Sequence, residues 1–485
     1  MAHTFDVRLD DLAGASAGPH QNSHVTIPQP ADARTFYIET FGCQMNDHDS
    51  EKVAGVLLGR GYQQAASMEA AKLVFYNTCS IREKAAQKVF SRLGTYQKNP
   101  RHDKIIGVLG CVAQQEGEEI FERAPWVSLV CGSASYSRLP ELIAELESGN
   151  RRVMGLNKDT DETFETEITR RDNPFRAYLT IIEGCDKACS YCIVPYTRGP
   201  ERSRSSASIL EEVGRLADQG YTEIQLLGQT VNSYLDPTSP EAGKPITFAE
   251  LLVAVAAVKG IRRVRFTTSY PRDFGRDIIE AIDSTPELCD HVHLPAQSGS
   301  TRILRAMRRT YSREQYLEKI EMIRSARRPI GITSDIIVGF PGETERDFEE
   351  TLSLLDAVKY DSIYAFEYSP RPHTTAKDKP DAIPEEEKRR RLAALNDHQR
   401  EIQIARNQAL VGETFEVLVD GASRYPFSPT SRPGNGGKGT GLWSGRSSSN
   451  RILNFTSPGS ELLGQYVQVR VTRSAPNSLI GEHIV

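Results

Sequence analysis

The sequence contains no run of 18 apolar residues, which excludes a membrane-spanning helix. Its opening, MAHTFDVRLDDLAG, has no apolar core behind a basic start, so no secretory leader is expected there. Positive charge is not in excess. The 59 Lys and Arg stand against 64 Asp and Glu, a formal net charge of −5, which argues against a polybasic nucleic-acid coat and leaves only a local basic face open. Cysteine is sparse, with eight in 485 residues. Their clustering, without a leader, points to the reducing cytoplasm, where thiols stay available as metal ligands.

At 485 residues the chain has room for roughly three domains of about 150 residues each. Residues 1–33 are rich in Gly, Ser, Pro, Gln and His and lack apolar periodicity, so they are expected to form a disordered arm. In 34–150 three β-rich runs, TFYIETFGC, AKLVFYNTC and KIIGVLGC, each close on a cysteine and alternate with helix-like text. A fourth, WVSLVCG, precedes RLPELIAELESG, a helix with a Gly stop. This alternation predicts an α/β domain with a doubly wound parallel sheet, whose functional groups gather at the carboxyl ends of the strands. A charged linker follows over 151–170.

Residues 171–402 alternate again. Strands are predicted at AYLTIIEGC, EIQLLGQ, RVRFTTS, HVHLPAQ, ITSDIIVGF and SIYAFEYS, with amphipathic helices between them. Six βα units imply a partial or complete (β/α) barrel. A charged helix over 384–408 closes the region, and its EEEKRRR run reads as a solvated face. From 405 to 485 the pattern turns to period two. In YVQVRVTR, Val467, Val469 and Val471 are expected to face a core, and Arg470 and Arg473 to face out. From residue 403 onward, eight Lys or Arg face five Asp or Glu. A small, mildly basic β-barrel suits RNA, and a structural β cap is the alternative.

Chemistry concentrates in GCDKACSYC, where Cys185, Cys189 and Cys192 have C-x3-C-x2-C spacing. A structural zinc site closes its shell with four protein ligands, and an iron–sulfur cubane also usually takes four cysteines. Three thiolates leave one iron of a cubane open to a small molecule. The loop begins at a strand's carboxyl end in the βα array, a position that reads as catalytic. Cys43, Cys79 and Cys111 are far apart in sequence, and any one of them alone would read as a small buried hydrophobe. All three nevertheless close a strand of one predicted sheet. Cys131 also ends a strand and, on the residues alone, is a fourth ligand candidate. Cys289 reads as packing.

The C-x3-C-x2-C loop resembles that of the radical S-adenosylmethionine (SAM) superfamily. The resemblance extends from about residue 35 to 485. ETFGCQMND, YNTCSIREKAAQKVF, GVLGCVAQ, LLGQTVNSY, RFTTSYP, HLPAQSGS, SDIIVGFPGET and EYSPRP resemble the methylthiotransferase branch, and GRSSSNRILNF with SLIGEHIV resembles its TRAM domain, an RNA-binding β-barrel. Gln44, Met45 and Asn46 after Cys43 match the branch acting on adenosine 37 of tRNA; the ribosomal-protein and threonylcarbamoyladenosine branches typically carry Pro-Lys-Asn or Lys-Val-Asn there.

The resemblance implies two 4Fe-4S clusters. Cys185, Cys189 and Cys192 would hold the SAM-binding one, and Cys43, Cys79 and Cys111 an auxiliary one that carries sulfur. The family usually lacks a cysteine at position 131, so ligation by Cys131 is not expected. Gln229 and Asn232 fall where the methionine part of SAM would lie, and Asp335, Gly339 and Gly342 near its adenosyl part. RPHTTA departs from the family's Arg-Pro-Gly-Thr by placing His373 where Gly is typical, which puts the local loop conformation in question. The implied activity is methylthiolation of dimethylallyl-adenosine 37 in the tRNA anticodon loop, using two SAM. It calls for a sulfur donor and an electron donor such as a flavodoxin or ferredoxin, and involves no membrane. The alternatives are a methylthiotransferase acting on another tRNA adenosine or on a ribosomal protein, and a non-catalytic iron–sulfur RNA-binding sensor.

Overall fold

The computed structural model describes residues 34–80, 83–98, 103–156, 169–171, 173–238, 245–423, 441–458 and 461–484. The expected arm at 1–33, most of the expected linker and, up to Thr440, the Gly-rich stretch RPGNGGKGTG expected to form a loop lie outside them. The chain divides into two compact units. One runs up to Asn173 and takes in Ile182–Lys187 and Cys192–Arg202; the other holds Pro174–Ile181, Ala188–Tyr191 and Ser203–Val485.

The first unit is built on six parallel strands, β1 (Thr35–Phe41), β2 (Gln63–Gln64), β3 (Leu73–Thr78), β4 (Ile105–Gly110), β5 (Leu129–Cys131) and β6 (Val153–Gly155), in the order β2-β1-β3-β4-β5-β6. The helices are α1 (Gln44–Gly59), α2 (Glu83–Gly94), α3 (Cys111–Glu116), α4 (Glu119–Arg123) and α5 (Leu139–Glu147). Both faces of the sheet are apolar, as parallel sheets require. Leu73 and Phe75 join Val53 and Leu57 of α1 and Leu142 of α5 in one core. Val74 and Tyr76 join Val89 of α2, Ala113 of α3 and Ile120 of α4 in the other. Helices on both faces make the sheet doubly wound, and the strand order reverses between β1 and β3. Ligands of such sheets bind at that switch point, beyond the carboxyl ends. After β7 (Arg176–Thr180), which is part of the second unit, the chain returns to the first through β8 (Ile182–Glu183), α6 (Val194–Arg198) and β9 (Arg202–Ser203).

In the second unit β7, β10 (Glu223–Leu227) and β11 (Arg263–Thr267) form one parallel arc, and β12 (His291–His293), β13 (Gly331–Val338) and β14 (Ser362–Glu367) form another. Backbone bonds from Val264 to Glu287 and from Cys289 to Val264 join the arcs into a partial barrel. Cys289 is buried at this joint, as packing. The helices are α7 (Ser206–Asp218), α8 (Phe248–Ala256), α9 (Arg276–Ser284), α10 (Thr301–Ala306), α11 (Arg313–Arg324), α12 (Glu345–Val358) and α13 (Glu385–Gln408). Capping boxes start α8 (Thr247 with Glu250), α11 (Ser312 with Gln315) and α12 (Thr344 with Asp347). The EEEKRRR run is not wholly solvated. Arg391 is buried and clamps the carboxylate of Glu343 at 2.8 Å, and Lys388 lies buried beside it on α13. An i, i+3 spacing puts both on the inner face of the helix, and a charge count does not reveal this.

Strands β15 (Thr414–Ala422), β16 (Gly441–Ser447), β17 (Ile452–Ser457), β18 (Tyr466–Ser474) and β19 (Leu479–His483) close a small barrel. It is antiparallel except for the parallel β17–β19 pair. Val467, Val469 and Val471 face its core, and Arg470 and Arg473 are exposed, as the alternation predicts. This barrel also caps the amino ends of the larger barrel's strands. Arg263 donates to the carbonyls of Arg446 and Glu416, and Arg265 to those of Ser447 and Ser448. Arg265 is paired with buried Glu223 at 3.2 Å. The amino-end face is thus sealed by charge and hydrogen bonds, which leaves the carboxyl ends for chemistry.

Candidate functional site

The eight cysteines are all described, and none is in a disulfide. Three of them meet at the switch point of the first sheet. Phe41, Thr78 and Gly110 are in register across β1, β3 and β4. The residues that follow are therefore Gly42-Cys43, Cys79 and Cys111, side by side at one edge. Cys43 is the N-cap residue of α1 and Cys111 opens α3.

Glycines hold this edge tight. A side chain at Gly42, where φ is +138°, would collide with the Cβ of Cys79, and one at Gly110, with φ +88°, would collide with the Asn77 amide. A polar lattice lies beneath. The Cys43 thiol points at Asn46 Oδ1 (3.2 Å), and Asn77 donates to the Asn46 carbonyl and to Ser50 (both 2.9 Å). Tyr136 donates to Asn77 at 3.3 Å. Within the same unit Arg198, six residues beyond Cys192, is buried in an ion pair with Asp49 at 2.6 Å. Burial opposes its charge, but Asp49, and then Cys111 and Cys43, outweigh that and hold the guanidinium well above its ordinary pKa.

Four buried polar atoms near these cysteines lack a protein partner among the described residues: Thr78 Oγ1, Ser80 Oγ, and Nε2 and Oε1 of Gln114. Thr78 and Ser80 flank Cys79, and Gln114 lies one helical turn from Cys111. Buried polar groups normally find partners. Three of the four, the two hydroxyls and Gln114 Nε2, can donate, and such donors around three thiols and a glycine-lined edge fit a group rich in sulfide acceptors. Among the described residues no three His, Cys, Asp or Glu converge as ligands of a single metal ion. A cubane does not require that, because each thiolate binds a different iron.

Cys131 differs from these three. It is the last residue of β5 itself, two residues from Leu129 on the same face, and it is fully buried in the core under α1 and α5. Its thiol lies against the carbonyls of Gly132 and Ser135, and burial raises its pKa to about 12.

The other set sits in one loop between β8 and α6. The Lys187 amide donates to Cys185 Sγ at 3.4 Å, and Arg309 donates to Cys189 Sγ, also at 3.4 Å. Of the remaining expected contacts, Gln229 follows β10 with its buried Oε1 unpartnered among the described residues. Asn232 is already engaged on both sides of its amide, donating to the Tyr270 carbonyl and accepting from the Tyr270 amide (3.0 and 2.7 Å), so it braces a loop. Asp335, on β13, lies 3.4 Å from His293 and is partly exposed. Gly339 and Gly342 take left-handed φ values of 72° and 79° as turn residues, and the Gly339 amide donates to Glu343 at 2.7 Å. His373 adopts φ 61°, the conformation that suits the glycine it replaces, so the loop keeps that shape. Sequence reasoning did not single out Arg198, Asp49, Gln114 or Arg309, since each acts on a residue far away in the chain or lacks a spacing signature.

Residues 179–355 match the Radical SAM superfamily, 35–132 the Uncharacterized protein family UPF0004 and 408–484 the TRAM domain. Curated relatives align almost end to end. A tRNA-2-methylthio-N(6)-dimethylallyladenosine synthase of Solibacter usitatus (strain Ellin6076) is 60% identical over 93% of this chain and 98% of its own length. One of Koribacter versatilis (strain Ellin345) is 56% identical over 94% and 99%, and one of Aquifex aeolicus (strain VF5) is 42% identical over 93% and 98%. Among solved structures, the radical S-adenosylmethionine methyltransferase of Kitasatospora setae shares the fold, with a TM-score of 0.52 at 13% identity over 71% of this chain and 77% of that one.

Proposed function

Because the chain belongs to the radical SAM methylthiotransferase family, within its tRNA-2-methylthio-N(6)-dimethylallyladenosine synthases, we propose that it adds a methylthio group to carbon 2 of N(6)-dimethylallyladenosine at position 37 of tRNA. The observation that carries this reading is the end-to-end likeness to those synthases. Membership of the superfamily implies a 4Fe-4S cluster and SAM. We assign Cys185, Cys189 and Cys192 to that cluster, and Cys43, Cys79 and Cys111 to an auxiliary one. When bound, these groups would supply sulfur at the auxiliary set, methylated with the methyl group of one SAM, and, from a second SAM, the 5′-deoxyadenosyl radical chemistry that removes the hydrogen of carbon 2.

The chain's own work is to hold and orient. Residues 34–150 present the auxiliary set at a sheet edge, 171–402 present the loop set at the mouth of a barrel, and 405–485 meet the RNA. Gln229 contacts the methionine part of SAM, Asn232 acts by fixing Tyr270, and Asp335 faces the adenosyl part. Arg470 and Arg473 meet tRNA phosphates from the exposed face of β18. Adenosine 37 must be splayed from its loop to bring its edge to the barrel mouth. A flavodoxin- or ferredoxin-type electron donor and a sulfur donor complete the reaction, in the cytoplasm.

The test is mass spectrometry of tRNA nucleosides from cells lacking the gene. The 2-methylthio nucleoside should vanish and N(6)-dimethylallyladenosine accumulate. An unchanged nucleoside profile would refute the assignment.

A further inference from the structure

Arg309 is buried, with 8% of its surface exposed, and among the described residues it pairs with no carboxylate. Its guanidinium makes three hydrogen bonds among the described residues, two of them to uncharged partners. Nε donates to the Tyr311 hydroxyl at 2.8 Å and Nη2 to the Pro295 carbonyl at 3.0 Å, while the ring of Tyr270 lies 4.4 Å below its centre. Nη1 donates to Cys189 Sγ at 3.4 Å. A buried cation requires an anionic neighbour, since removing a charge from water without one costs several kcal/mol, on the order of a broken buried ion pair. Tyr311 cannot serve, because burial first of all raises its phenol pKa and keeps it neutral. Among its hydrogen-bond partners in the described residues, the sulfur of Cys189 is the one able to carry negative charge, as a thiolate does when ligated to iron.

The surroundings fix this contact. Tyr311 donates to the carbonyls of Pro295 and Ala296 (both 3.1 Å), so the acceptor for Nε is itself held. The Arg309 amide closes the turn after α10 by donating to the Leu304 carbonyl at 2.8 Å, next to Arg308 in the left-handed region at φ 56°. The backbone is thus shaped to aim this side chain at the loop.

We propose that Arg309 is a positioning residue that tunes the loop site's reduction potential through a charge-assisted N–H···S bond to Cys189. One-electron reduction adds one negative charge beside the guanidinium, so Arg309 favours the reduced state and raises the potential. The inference rests on assigning Cys185, Cys189 and Cys192 to the SAM-binding cluster.

The experiment is a potentiometric EPR titration of the full chain, prepared anaerobically, following the reduced signal that changes when SAM is added. Arg309→Gln should retain iron yet titrate at a more negative potential, and at limiting reductant its deoxyadenosine yield should fall about tenfold or more. Arg309→Lys should recover most of the potential by restoring the charge. Tyr311→Phe, which touches no cysteine and frees Nε, should shift it slightly in the same direction as Gln. An unchanged potential in Arg309→Gln overturns the proposal. So does equal cluster loss in the Gln and Lys variants with Tyr311→Phe unaffected, which would mean shape, not charge, matters. If wild type shows no SAM-responsive signal, it is the cluster assignment that has failed.

Discussion

The two cysteine sets solve one problem in opposite ways. Cys185, Cys189 and Cys192 are contributed by eight consecutive residues and need only a loop. Cys43, Cys79 and Cys111 span 69 positions and come together only when β1, β3 and β4 pair in register. The first set depends on local geometry and a few donors to sulfur, the second on the folding of a whole sheet around its switch point. A site of the first kind can be damaged residue by residue. A site of the second kind should also respond to changes that never touch a cysteine.

The largest effect should come from the loop. Cys189→Ala should lose SAM cleavage and product together, and iron should fall by about one cubane. Normal deoxyadenosine from this variant would remove the distinction between the sets. Cys79→Ala should separate the halves of the reaction, with reductive SAM cleavage retained and methylthio product lost; full product would show that Cys79 is dispensable. Gly42→Ala sharpens the comparison without touching a thiol. With φ +138° and the Cβ of Cys79 in the way, it should cost about 1–3 kcal/mol and deplete only the auxiliary iron. Thermal melts and iron counts check it, and equal depletion of both sites would count against separate scaffolds. Cys131→Ala should do least: about 1 kcal/mol of packing stability, with both half-reactions running.

Much of this was legible in the sequence, and the failures are instructive. The loop declares itself by spacing. The sheet-edge set shows as three β-rich runs that each stop on a cysteine. Cys131 shares that look, but parity separates it: it falls inside its strand, two residues from Leu129, where a side chain points into the core, whereas the other three lie one or two residues beyond the strand end. The tail's alternation correctly gave its core face. Its second role, sealing the larger barrel through Arg263 and Arg265, was invisible because the acceptors are backbone carbonyls about 150 to 180 residues away. Arg198 with Asp49 and Arg309 with Cys189 were missed for the same reason, since no local pattern marks a pair 149 or 120 residues apart. The EEEKRRR run misled because charge counting ignores which face of a helix is covered.

The central claim is that the sheet edge binds a cluster of its own. Mössbauer spectroscopy of the full chain carrying Cys185→Ala, Cys189→Ala and Cys192→Ala tests it most directly. The account predicts one intact 4Fe-4S cluster per chain in this variant, lost on adding Cys79→Ala and retained on adding Cys131→Ala. A triple variant with no cluster would contradict it, as would a cluster that survives Cys79→Ala and disappears with Cys131→Ala.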